Sequence, residues 1–143
     1  MRPRATPDPK DPLAARRKAM DLLARREYGF AELVDRIVKN GFDRDVVELV
    51  VEALADEGLQ SDQRMAESLI AARARQGKGP ERVTYELRER GVATNIADLA
   101  LADADIDWIE IARVAREQRF GDEQPADFPD FARQANFLKR RGF

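Results

Sequence analysis

The sequence has neither cysteine nor histidine among its 143 residues. Their absence excludes the Ser-His-Asp and Cys-His nucleophile arrangements, the common zinc sites and any disulfide framework. No apolar run approaches the roughly 18 residues of a membrane-spanning helix, and no signal-peptide pattern opens the chain. We therefore expect a soluble cytoplasmic protein that is not an enzyme, uses no cofactor and does not bind a membrane.

Two segments resemble ligand-binding loops but lack residues that such loops need. Segment 77–79, Gly-Lys-Gly, lacks the first glycine and the final hydroxyl of a phosphate loop, so we interpret it as a turn that starts a helix. The acidic segment 103–107 resembles the opening of a calcium loop, but Trp108 replaces its obligatory glycine and Val114 its bidentate glutamate. We therefore predict no catalytic, cofactor-binding or metal-binding residues.

What the sequence does contain is a repeat of about 50 positions, a length typical of stacked structural repeats that are too small to bury their apolar faces alone. Its marker is a glycine followed by an apolar residue, at Gly41-Phe42, Gly91-Val92 and Gly142-Phe143. The first two copies agree over most of their length. The third agrees only near its end, because Gln134 stands where the other copies have Leu33 and Val83.

Apolar residues at spacings of three and four predict helices in every copy. Asp11 before Pro12 predicts the start of the first helix, Asp43 that of the third, and Ser61 or Asp62 that of the fourth. We predict an all-α fold with eight helices and no strands, an elongated tandem repeat of three-helix, homeodomain-like units in which the last unit lacks its third helix. The predicted divisions are a disordered lead-in (1–11), repeat 1 (12–60), repeat 2 (61–105) and a partial repeat 3 (106–143).

The marker glycines and the short last unit give two structural predictions. Gly41 and Gly91 should have positive φ, because each must end a helix and reverse the chain. In the last unit, Phe137 and Phe143 should pack on the helix that contains Trp108. Since that unit has two helices in place of three, we expect it to open first.

Charged residues make up 36% of the chain, and their signs alternate along it. Segments 13–42 and 64–92 each hold seven basic and four acidic residues, a local charge of +3, whereas segments 43–57 and 93–110 each have a local charge of −5. One interpretation is that these are solvated helix faces. The other is a bipolar surface that complements a charged partner.

A three-helix unit with a glycine turn before its third helix resembles a helix-turn-helix DNA reader. The charge distribution argues against that function, because a third helix of charge −5 would be repelled by the phosphates that supply most of the affinity for DNA. Weak direct contact with DNA through the basic helix pairs remains open.

An ordered set of short segments carries a resemblance to a known family. These segments are Leu22-Leu23-Ala24-Arg25-Arg26-Glu27, Ala31-Glu32-Leu33, Gly41-Phe42, Glu57-Gly58-Leu59, Asp62-x-Arg64-Met65-Ala66-Glu67, Gly77-Lys78-Gly79-Pro80, Glu86-Leu87-Arg88-x-Arg90-Gly91-Val92, Arg119-Phe120-Gly121 and Leu138-x-Arg140-Arg141-Gly142-Phe143. With them the chain resembles the RecX regulatory proteins from about Leu13 to its end.

The resemblance implies an all-helical fold of tandem three-helix repeats and a function in DNA repair and the SOS response. RecX proteins modulate the RecA recombinase: they bind the RecA–DNA filament and suppress its ATPase, strand-exchange and co-protease activities. Family members usually continue past the final Gly-Phe into one more helix, so we expect a shorter member or a truncated form.

We therefore predict a monomer that has RecA and the RecA–DNA filament as partners. The candidate partner-binding residues are Arg25, Arg26, Arg73, Arg75, Lys78, Arg88, Arg90, Lys139, Arg140 and Arg141. For Arg73 and Arg75, pairing with Glu67 or Glu81 inside their own repeat is the alternative. For the whole chain, the alternatives are a helical protein that acts on DNA directly and a generic helical adaptor.

Overall fold

A computed structural model describes residues 8–143, and within that range it contains eight α-helices and no strand. The helices are α1 (Pro12–Leu23), α2 (Phe30–Lys39), α3 (Arg44–Asp56), α4 (Asp62–Arg75), α5 (Pro80–Glu89), α6 (Thr94–Asp103), α7 (Trp108–Phe120) and α8 (Phe128–Arg140). The prediction of an all-α fold is confirmed.

The first seven residues of the predicted lead-in lie outside the described range. Its last four residues, 8–11, make defined hydrogen bonds. The Pro9 carbonyl accepts a hydrogen bond from the backbone N–H of Asp43 at 2.9 Å. The Asp11 carboxylate caps α1 by accepting from the N–H of Leu13 at 3.0 Å, as the sequence predicts.

The described chain forms two compact units. Unit one comprises the described residues up to Met65 together with Arg90–Val92, and unit two comprises Ala66–Glu89 and Ala93–Phe143. The sequence-based division into three repeats stays a prediction.

In unit one, α3 packs against both α1 and α2. The reason is the spacing of its apolar residues, which line one side of the helix, whereas its carboxylates lie on the other. Each large side chain fully buried there stabilises the fold by roughly 1.5–3 kcal/mol. In unit one, the residues with no exposed surface are Ala15, Ala19, Leu33, Ile37, Val47, Val51 and Leu54.

The glycines of the repeat end their helices in the left-handed region. Gly41 has φ +100° and Gly91 has φ +81°, which confirms the prediction for both. The apolar residue after each glycine turns back into the protein, since Phe42 is 9% exposed and Val92 is 5% exposed. This is the usual arrangement of a left-handed helix cap with an apolar partner.

In the third copy, Gln134 is 6% exposed, so it is as inaccessible as the apolar residues that it replaces. Its side-chain oxygen accepts a hydrogen bond from Arg116 Nε at 2.9 Å, and its amide nitrogen donates to Asp130 at 3.3 Å. These bonds satisfy the buried amide, which would otherwise be costly to remove from water. A polar residue therefore occupies a core position between α7 and α8.

The prediction for the two C-terminal phenylalanines is confirmed for Phe137. Its ring meets that of Phe120, the last residue of α7, edge to face at a centroid distance of 5.3 Å. Phe143 has a neighbour that the sequence did not predict, because its ring lies beside Gly79 at the start of α5. The C-terminus of the chain is thus held against the α4–α5 turn.

Candidate partner-binding surface

In each unit, a turn that follows a helix lies against the start of another helix, and we call this contact a junction. In the first junction, in unit one, residues Arg90–Val92 lie against the start of α2. A Cβ placed on Gly91 would lie 2.9 Å from Ala31 Cβ, so the backbones approach closely there. Glu32 accepts from Arg90 at 3.4 Å and from Arg26 at 3.1 Å. Glu32 therefore compensates part of the positive charge of the two arginines.

The second junction, in unit two, joins the end of α8 to the start of α5. The Gly79 N–H donates to the Arg141 carbonyl at 2.7 Å, and the Glu81 N–H donates to the Gly142 carbonyl at 3.0 Å. Two carbonyls of the C-terminal turn thus satisfy backbone donors at the start of α5 that have no partner inside that helix. A Cβ on Gly142 would lie 2.5 Å from Arg82 Cβ, so only glycine fits this approach.

The second junction brings together basic residues that are about 60 positions apart in the sequence. We call Lys78, Arg82 and Arg141 the junction cluster. Arg82 is exposed, and its guanidinium donates to the Arg140 carbonyl at 3.4 Å. Partial burial lowers the pKa of the Lys78 ammonium, and the positive charges of Arg82, Arg73 and Arg141 lower it further. The Glu86 carboxylate acts on this pKa in the opposite direction, but among residues 8–143 none of the three cations forms an ion pair. The cluster is therefore a site of net positive charge.

Arg141 is held by a hydrogen bond and by contact with an aromatic ring. It donates to the Gln76 carbonyl at 3.2 Å, and its guanidinium lies 5.0 Å from the centroid of the Phe137 ring. It also lines a small pocket of about 150 Å³, together with Arg119 and Gly77. A guanidinium held in this way loses less side-chain entropy when it binds an anion than an unrestrained one would.

Three of the ten predicted residues form ion pairs with carboxylates inside the protein. Arg73 forms a two-bond pair with Glu86, at 2.7 and 2.5 Å, and that pairing raises the pKa of Arg73. Arg26 pairs with Glu32 and lies 3.6 Å above the Tyr28 ring, and Arg90 pairs with Glu32 as well. These three residues stabilise the fold.

Five other predicted residues are exposed: Arg25, Arg75, Arg88, Lys139 and Arg140. Arg25 belongs to unit one and the other four to unit two. The structure therefore brings together Lys78 and Arg141 from the predicted set and adds Arg82, which sequence reasoning missed. The sequence did contain a sign that Arg82 is a candidate, because Arg82 is basic where the first copy of the repeat has the acidic Glu32.

Within residues 8–143, no three carboxylates approach closely enough to hold a metal ion. No helix in that range is long and apolar enough to cross a membrane.

Two family models and several relatives agree on the family to which this chain is similar. The family model for the first three-helix domain of RecX matches residues 15–54, and that for the second three-helix domain matches residues 61–101. A regulatory protein RecX from Halorhodospira halophila is 48% identical over 91% of this chain and 81% of its own length. The chain belongs to the RecX family of regulatory proteins.

Other RecX proteins support this assignment. The regulatory protein RecX of Ectopseudomonas mendocina is 44% identical over 93% of this chain and 89% of its own. The crystal structure of RecX from Lactobacillus salivarius superposes with a TM-score of 0.76 over 92% of this chain and 88% of that one. At 20% identity it supports the fold alone.

Proposed function

We propose that this RecX-family chain is a non-enzymatic cytoplasmic regulator that binds RecA and the RecA–DNA filament and inhibits the recombinase, ATPase and co-protease activities. Its membership of the RecX family carries the proposal. The described residues add a surface that suits such a partner, since the filament displays both DNA phosphates and charged protein side chains.

The junction cluster, together with the exposed Arg88, is the surface that we assign to the filament. Lys78 and Arg82 lie at the start of α5, and Arg88 lies in its last turn. An exposed ion pair is worth only about 0.2–1 kcal/mol, so several such contacts must act together. Because such contacts are screened by salt, inhibition should weaken as ionic strength rises.

The test is a titration of the purified chain into a RecA ATPase assay on single-stranded DNA. We expect a dose-dependent fall in ATP hydrolysis, and capture of the chain by immobilised RecA in the presence of DNA. A chain that leaves hydrolysis unchanged at molar excess and is not captured by RecA would refute the proposal.

The second candidate is a helical protein that acts on DNA without RecA. The junction cluster favours it too, because three cations in one place suit a phosphate backbone. A parallel assay with naked DNA separates the two candidates. Binding to naked DNA as tight as binding to the filament would favour the second.

A further inference from the structure

An apolar groove lies between α1 and α3 in unit one, and none of the residues that line it belongs to the junction cluster. Its volume is about 380 Å³. Leu13 on α1 is 71% exposed and Leu49 on α3 is 67% exposed. Contiguous exposed apolar surface of this kind often marks an interaction site. The groove is lined by Lys10, Pro12, Leu13, Arg16, Val46, Leu49, Val50 and Ala53.

Four carboxylates of α3 form a second feature, which we call the acidic stripe. Its members are Asp45, Glu48, Glu52 and Asp56, whose spacings of three and four residues place them on one side of the helix. Among residues 8–143, none of their side chains has a hydrogen-bond or ion-pair partner. Glu57, at the end of α3, is different, because Arg16 holds it at 2.7 Å.

The acidic stripe borders the groove. With 3.6 residues per turn, Val50 and Leu54 of α3 face the core, and Leu49 and Ala53 lie to one side of them. Further round the helix, on the side of Leu49 away from the core, lie Asp45, Glu52 and Asp56. A molecule in the groove would therefore meet apolar side chains below it and unpaired carboxylates along one edge.

The basic residues at the other edge do not cancel that charge. Arg16 is already neutralised by Glu57, which leaves Lys10 as the one unpaired cation among the residues that line the groove. The charge around the groove is therefore acidic on the α3 side.

We propose that this groove docks an amphipathic helix of a partner protein whose apolar face is flanked by lysine or arginine. Burial of the apolar face would supply affinity, as in other helix-in-groove complexes. Pairing of the basic flank with the acidic stripe would fix the direction and register of the helix. The inference concerns unit one alone and does not depend on the assignment of the junction cluster to the filament.

The corresponding face of unit two differs and provides a matched control. Leu99 occupies the position of Leu49 in the repeat and is 53% exposed. Asp103 replaces Ala53, and the pocket there has a volume of about 250 Å³ with Glu67, Asp103 and Asp105 in its lining. Carboxylates within the lining suit an apolar helix poorly, because their burial would be costly.

The experiment titrates the full chain with a synthetic peptide of leucine and lysine, about four helical turns long, whose leucines share one face. One control peptide has the same composition with its leucines distributed around the helix, and another has glutamate in place of lysine. We expect the patterned leucine–lysine peptide to bind at least about tenfold more tightly than either control. Amide signals of Leu13, Leu49 and Ala53 should shift on binding in ¹⁵N NMR spectra.

Variants then locate the binding site. Leu49→Gln should weaken binding by about tenfold, as expected for the loss of one buried anchor. Glu52→Gln combined with Asp56→Asn should weaken it several-fold and reduce its dependence on salt. Leu99→Gln, the matched control, should leave it unchanged. All four positions are exposed, so thermal melts should stay close to wild type.

Four outcomes would overturn the proposal. They are equal binding of the patterned and scrambled peptides, no binding of the patterned peptide, an effect of Leu99→Gln in place of Leu49→Gln, and self-association of the chain that Leu49→Gln abolishes. The last would identify a second copy of the chain as the occupant. Inhibition of RecA by the Leu49→Gln variant, measured in parallel, reports separately on the proposed function.

Discussion

At the first junction, Glu32 pairs with both Arg26 and Arg90 and compensates part of their positive charge. At the second junction, the position of Glu32 is occupied by Arg82, and Lys78 and Arg141 lie beside it. The backbone design is shared, since in each case a glycine after a helix end lies on the first turn of another helix. One change from an acidic to a basic residue thus separates a junction that only stabilises from one that also presents charge.

The largest effect that we expect concerns the helix-ending glycines. Gly91→Val should destabilise the protein by about 2–4 kcal/mol, because the side chain would be strained at φ +81° and would also meet Ala31 Cβ. Gly41 has a similar φ but open space around it, so Gly41→Val should cost only about 1–3 kcal/mol. Urea unfolding of both variants measures the difference. Equal stabilities for Gly91→Val and wild type would contradict the repeat interpretation.

Alanine substitutions at the two junctions should differ in their cost to stability. A Cβ on Gly79 would lie 2.4 Å from the Gly142 carbonyl oxygen, so Gly79→Ala should open the second junction and cost about 1–3 kcal/mol. The nearest atom to a Cβ on Gly29 is the flexible Met65 Cε at 3.1 Å, so Gly29→Ala should cost less than about 1 kcal/mol.

Amide exchange reports the same comparison locally. Exchange in residues 128–143 should accelerate in Gly79→Ala and stay unchanged in Gly29→Ala. The expectation that partial repeat 3 opens before the rest of the protein stays a prediction, and amide exchange in the wild-type chain tests it. Slower exchange in 128–143 than in 80–90 would contradict it.

The charge difference between the junctions predicts a functional effect. Lys78→Glu, Arg82→Glu and Arg88→Glu together should raise the concentration needed for half-inhibition of RecA by about tenfold, if the three contacts contribute about 0.5 kcal/mol each. The helical melt should be nearly unchanged. Arg90 is left intact because Arg90→Glu would place a second carboxylate beside Glu32.

The matched control for that variant changes the same amount of charge in unit one. Arg17→Glu, Arg36→Glu and Lys39→Glu alter three exposed basic residues of α1 and α2. We expect this control to inhibit RecA like wild type. If the folded triple variant of Lys78, Arg82 and Arg88 inhibits at the wild-type concentration, the interface lies elsewhere, and the acidic third helices are the next candidates.

The smallest expected effect is the pH dependence due to Lys78. Folding lowers its pKa below the usual 10.5, so between the two values the unfolded chain binds more protons than the folded one. The destabilisation is therefore fully present at neutral pH and disappears as the pH rises through the folded pKa towards 10.5. Lys78→Gln should then be at least as stable as wild type at pH 7, and its unfolding should depend less on pH as the pH rises towards 10.5. A clear loss of stability would assign Lys78 a structural role.

Features that depend on neighbours in sequence were predicted well. The Asp11 and Asp43 caps and the positive φ of Gly41 and Gly91 were all expected, and the structure contains them. A helix cap or turn is decided by hydrogen bonds and dihedral angles within about four residues, so the local pattern carries the information.

The helix that Asp62 caps could not be predicted from neighbouring residues. Sequence offered Ser61 or Asp62 as the cap of α4. In the structure Ser61 accepts from the N–H of Arg64 at 3.2 Å, whereas Asp62 accepts from the N–H of Phe30 at 2.7 Å and so caps α2. Both residues are good acceptors, and only packing placed the start of α2 within reach of Asp62.

The helices, the caps at Asp11 and Asp43, the repeat and the alternation of charge can be read from the sequence, because each depends on residue types at short, regular spacings. Tertiary structure alone decided which charges are used within the fold. Arg73 pairs with Glu86, a partner that the sequence analysis did not name. Arg82 and Arg141 meet because the C-terminal turn hydrogen-bonds to the start of α5. Contacts about 60 residues apart follow from how helices pack, and no local pattern records which side chains that packing brings together.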